Sequence, residues 1–107
     1  MTISIEATEL SALMAANETL LVLDVRKLPA YEEDDSIIAG ADWRDPARID
    51  EWGPSVDATG PVICYCVHGH EVSQGASATL RARGLDARYL IGGIDGWRQE
   101  GGALAAK

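Results

Sequence analysis

Val62-Ile63-Cys64-Tyr65-Cys66-Val67-His68-Gly69-His70-Glu71-Val72-Ser73 runs from an apolar strand, through a short loop, to the start of a helix. Both histidines of the chain lie in that loop, and both cysteines lie in it or just before it. A cysteine thiolate is an intrinsically strong nucleophile. A helix N-terminus beside it favours the thiolate and holds anions. The stretch therefore reads as the site of an enzyme that uses Cys66 as nucleophile.

The flanking chain supplies a frame for such a site. Residues 61–65 and Leu20-Leu21-Val22-Leu23 are continuous apolar runs, the pattern of strands buried on both faces of a parallel sheet. The second run ends in Asp24-Val25-Arg26, with Asp24 and Arg26 on one face by the two-residue period. Those two read as a structural ion pair, and Arg26 can also lend positive potential to the site. Residues 73–83 read as an amphipathic helix with Ala76, Leu80 and Ala82 facing inward and Gly84 as its stop.

Further elements follow the same logic. Ile3-Ser4-Ile5 suits a short edge strand, and a helix is expected from Glu6, with a break at Asn17-Glu18. Residues 29–33 and 46–52 read as short helices, and residues 37–43 as a connector returning to the sheet. Residues 87–91 form a further strand. Gly92-Gly93 is a tight turn, and residues 94–100 a last helix carrying Trp97, ahead of a loose tail from 103 to 107. Alternating strands and helices predict an α/β fold: a mainly parallel central sheet flanked by helices in three layers. Sites in such sheets lie at the carboxyl ends of strands. Asp24-Val25-Arg26 and Cys66-Val67-His68 both fall there.

Composition narrows the function. A chain of 107 residues suits one domain, residues 1–107. A net charge of −8 disfavours nucleic acid as a partner. No apolar run approaches a membrane span, and residues 1–9 carry no signal pattern, so a soluble protein without a membrane partner is expected. Two cysteines one residue apart, with no signal, suit the reducing cytoplasm rather than a disulfide framework.

In their order and spacing, four stretches resemble a known family, the single-domain rhodaneses, which are thiosulfate sulfurtransferase-like proteins. Leu23-Asp24-Val25-Arg26 resembles the first signature. Ile38-Ala39-Gly40-Ala41 resembles a degraded second one, with Ser36, Ile37 and Ala39 where Gly, His and Pro are usual. Ile63 to Gly69 resembles the active-site strand and Cys-x-x-Gly loop, and Leu90-Ile91-Gly92-Gly93-Ile94-Asp95-Gly96-Trp97 the closing signature. The resemblance implies a rhodanese-like fold and a double displacement through a Cys66 persulfide. Sulfane sulfur would come from thiosulfate or a small-molecule or protein persulfide. It would pass to cyanide or a thiol, without cofactor or metal. The backbone of Val67, His68, Gly69, His70, Glu71, Val72 and Ser73 would line the substrate site, with Gly69 supplying an unusual conformation and the helix from Ser73 its positive end.

The loop departs from the family. With a helix starting at Ser73, residues 66–72 make a seven-residue cradle, one longer than usual for a sulfurtransferase. Phosphatases and arsenate reductases of the same fold have this length, with an Arg as the last loop residue. Here that residue is Val72, and the loop adds Glu71 but no Lys or Arg. Phosphate monoesters need such a clamp, so phosphatase activity is not expected. Thiosulfate use also suffers, which favours a neutral or protein-bound donor. A protonated His68 or His70 could replace the missing charge. Two other readings stand beside the enzyme: a persulfide carrier without turnover, and a metal site on Cys64-x-Cys66-x-His68-x-His70. The second has only one ligand segment, whereas structural zinc sites draw on two. Cys64 reads as a core side chain.

Overall fold

A computed structural model of the protein describes residues 3–16 and 19–107. The expected break at Asn17-Glu18 lies outside the described residues. In chain order the elements begin with β1 (Ser4–Ile5), α1 (Ala7–Ala15), β2 (Leu21–Asp24), α2 (Leu28–Glu33), β3 (Ser36–Ile38), β4 (Asp42–Trp43) and α3 (Ile49–Trp52). They continue with β5 (Val62–Tyr65), α4 (Glu71–Arg81), β6 (Ala87–Leu90), α5 (Gly93–Gln99) and β7 (Leu104–Ala106). Short 3-10 turns at Pro46–Arg48 and Gly53–Ser55 flank α3.

Five strands form one sheet in the order β1-β6-β5-β2-β4, and every neighbouring pair is parallel. The central strand β5 is buried along its whole length, as its continuous apolar run predicts. Its side chains alternate between two cores. Ile63 and Tyr65 join Leu10 of α1 and Ile94 and Trp97 of α5 on one face. Val62 and Cys64 join Ala76 and Leu80 of α4 on the other, with Ile49 and Trp52 of α3 at its margin. Helices thus cover both faces of a parallel sheet. Helix α1 starts with a reciprocal capping box between Glu6 and Glu9, so the acidic pair closes its first turn.

Three expectations need correction. Helix α4 starts at Glu71, two residues before Ser73, because the His70 carbonyl already accepts the Gln74 amide at 3.1 Å. Ala82 is exposed. It lies about 200° round the helix from Leu80, at roughly 100° per residue, whereas Ser73, Ala76, Ser77 and Leu80 share the buried face. The tail is not loose: β7 pairs antiparallel with β3, Ile38 opposite Leu104, and Ala103 accepts the Trp97 indole N–H at 2.9 Å. The connector divides accordingly, with β4 returning to the main sheet beside β2 and β3 pairing outside it.

Candidate active site

Cys66 follows Val62 and Cys64 by the strand period, at the carboxyl end of β5, and so turns toward the face that α4 covers. Its Sγ lies 3.1 Å from the hydroxyl of Ser73, which is fully buried in the first turn of α4. The thiol donates in this bond. With a thiolate, the same hydroxyl would rotate to donate to sulfur. Among the described residues, no backbone acceptor takes the amide N–H of any residue from 67 to 73. The chain therefore offers a run of uncommitted donors, continuing into a helix N-terminus, near the Cys66 sulfur.

The loop is held from beneath by α5. The carbonyls of Cys66 and Val67 accept the Ile94 and Asp95 amides at 3.0 and 3.1 Å. The approach is too close for a side chain: a Cβ on Gly93 would stand 2.4 Å from both carbonyl oxygens. Gly69 has a φ of +76°, and its Cβ would meet the Leu90 carbonyl at 2.6 Å. The Gly-Gly turn and the loop glycine are thus two sides of one contact.

A cavity of about 340 Å³ opens onto Cys66. Val67, His68, His70, Glu71 and Val72 line it on one side, and Arg26, Lys27 and Ala30 on the other. Gly69 and Ser73 lie buried behind this wall, Gly69 against the Gly-Gly turn and Ser73 against the sulfur. His68 is exposed, with its Nδ1 3.3 Å from a carboxylate oxygen of Asp95. His70 and Glu71 are also exposed, and Val72 is half-buried. Among the described residues, no three His, Cys, Asp or Glu side chains converge in a way that could hold a metal ion.

Arg26 is 1% exposed and its guanidinium is committed. It donates to both carboxylate oxygens of Asp24, to Asp34 at 3.0 Å and to the Ser36 carbonyl at 3.0 Å. Burial works against its charge, but the hydrogen bond and charge of Asp24 outweigh it and raise its pKa. Asp34 also accepts from Arg98 at 2.7 Å. Burial opposes its ionisation, yet the Arg98 and Ser36 bonds and the charges of Arg98 and Arg26 hold its carboxyl below the ordinary range. Cys64 is completely buried, which pushes its thiol up to about 12.

Sequence reasoning missed Lys27, Ala30 and Asp95. Lys27 brings to the cavity the cation that the loop lacks. It directly follows Asp24-Val25-Arg26, so the strand-end rule that singled out Arg26 reaches it one residue later. Asp95 carried no such local signal, because its approach to His68 depends on how α5 docks under the loop.

The Rhodanese-like domain family profile matches residues 6–100. A rhodanese-related protein from Thermoplasma volcanium has a similar structure, with a TM-score of 0.84 and 26% identity over 98% of this chain and 99% of its own. A protein from Rhodopseudomonas palustris described as a possible tyrosine phosphatase also scores 0.84, at 22% identity over 97% of this chain and 85% of its own. A thiosulfate sulfurtransferase from Pseudomonas aeruginosa scores 0.79 at 21% identity, over 99% of this chain but 20% of its own. The last two likenesses concern the fold alone. No curated protein sequence matches.

Proposed function

The chain belongs to the rhodanese-like domain family, and from that premise we propose that it is a sulfurtransferase working through a persulfide on Cys66. The Cys66 thiolate attacks the outer sulfur of thiosulfate or of a persulfide donor. The donor's S–S bond breaks, and sulfite or a thiolate leaves with the electron pair. The sulfane sulfur stays on Cys66 as a persulfide anion. Cyanide or an acceptor thiolate then attacks that outer sulfur and leaves with it, returning the electron pair to Cys66.

The observation that carries this reading is the pairing of the Cys66 sulfur with Ser73 beside the uncommitted amides of residues 67–73. Such a cradle stabilises a thiolate and a persulfide anion alike. Lys27 attracts an anionic donor, while the charge of Arg26 is answered by Asp24 and Asp34. The proposal includes a cytoplasmic setting, which suits two free thiols. The phosphatase reading lacks support at Val72, whose apolar side chain lines the cavity where a dianion would need an arginine. Steady-state transfer from thiosulfate to cyanide tests the proposal. Turnover by the wild type and none by Cys66→Ser is expected. Turnover that survives in Cys66→Ser would overturn it. A wild type that takes up sulfur on Cys66 without turning over would be a carrier.

A further inference from the structure

A second cavity, of about 610 Å³, adjoins the Cys66 pocket. The two share Lys27 and Val72 and no other wall residue. From that junction the groove runs between α2 and α4 over Leu28, Pro46, Ile49 and Ala76. Leu28 is 45% exposed, although it is a large apolar side chain at the rim. Thiosulfate, a small dianion, needs neither this length nor these walls. Volumes of this size with mostly apolar walls and a few placed polar groups are typical of small organic ligands.

Resting on the sulfurtransferase reading above, we infer that the thiol substrate of Cys66 is an organic molecule with a carboxylate close to its sulfur and an apolar chain. Its sulfur meets Cys66, its carboxylate meets Lys27 at the junction, and its chain lies in the groove past Val72. The apolar residue at position 72 joins the two cavities, where a charged side chain would divide them. As acceptor, the thiolate attacks the outer sulfur of the Cys66 persulfide. The S–S bond breaks, Cys66 recovers the electron pair, and the product is the organic persulfide. No outside oxidant or reductant takes part.

Gly75 allows a clean test. It lines the groove in α4, a Cβ there meets nothing within 4 Å, and its backbone is helical. A Cβ therefore fits at this position, and a larger side chain built on it extends along the groove wall. The first probes are 2-mercaptoalkanoates of increasing chain length, offered to the Cys66 persulfide. The acceptor kcat/KM is expected to rise about fourfold per methylene until the groove is filled. Gly75→Trp should flatten the series, while Gly75→Ala keeps it. Lys27→Gln should slow these acids by about threefold against uncharged alkanethiols of equal length. A flat series in the active wild type overturns the inference.

If no persulfide forms on Cys66, the proposed function fails, and binding then decides the groove separately. Straight-chain carboxylates from butanoate to decanoate, titrated into Cys66→Ser, should bind more tightly with length and shift the Gly75 and Thr79 amide resonances. Affinity independent of length, or shifts elsewhere, overturns the groove.

Discussion

At Cys66 the sulfur meets the Ser73 hydroxyl, beside loop amides that no backbone carbonyl takes. Removing that hydroxyl in Ser73→Ala should slow sulfur uptake by about tenfold, the effect of one hydrogen bond to a charged group. Ser73→Thr should restore most of the rate. Stopped-flow persulfide formation reads both, and an unchanged rate in Ser73→Ala would leave the thiolate to the amides alone. Cys64, two residues away, should be inert. Its burial pushes the thiol to about 12, so at pH 8 an alkylating reagent should modify one cysteine in the folded protein, and peptide mapping should find it at Cys66. Cys66 was legible because a reactive residue type coincides with a strand end. Its bond to Ser73 was not, because it depends on where α4 begins. With the helix starting at Glu71, Ser73 sits in its first turn, where side chains lean back toward the N-terminus and so toward the sulfur.

Between elements, the decisive contact is loop on helix: the carbonyls of residues 66 and 67 against the first turn of α5. A methyl at Gly93 has no space there, and the residue's φ of +59° is one that other residues avoid. Gly93→Ala should therefore cost about 3 kcal/mol in urea unfolding. A loss below 1 kcal/mol would mean that α5 can retreat from the loop. The β3–β7 pair belongs to the same scale. Deleting residues 103–107 removes its ladder and leaves the buried Trp97 indole without the Ala103 carbonyl, so a loss of about 2 kcal/mol is expected. The strands of the main sheet were legible because each carries its own apolar run. Leu104–Ala106 has no alternation to announce a strand, and its partner lies far away in sequence, so local patterning could not find it.

Across the whole molecule, one ion network ties β2 to the turn before β3 and to α5. Asp24 and Asp34 share Arg26, and Asp34 also holds Arg98. Since the folded protein keeps the Asp34 carboxyl below its ordinary value near 3.8, the unfolded chain binds its proton more readily. Asp34 therefore contributes stability above that value, which disappears as pH falls through its lower folded value. Thermal unfolding of wild type and Asp34→Asn should differ most at neutral pH and converge as the medium approaches pH 2. A difference independent of pH would remove the ionic role. At this scale the parallel α/β class was legible from alternating elements, whereas the strand order was not, since apolar runs carry no record of their neighbours. The groove beside the Cys66 pocket was equally hidden, because α2, the Pro46–Arg48 turn and α4 meet only in the fold.

The proposed function requires Cys66 to carry sulfane sulfur. Intact-protein mass spectrometry tests it most directly, on reduced protein incubated with a sulfane sulfur donor, freed of excess donor and then given cyanide. A gain of one sulfur atom on Cys66, its loss on cyanide addition with release of an equal amount of thiocyanate, and no gain in Cys66→Ser are expected. A wild type that gains no sulfur, or a gain that persists in Cys66→Ser, would contradict it.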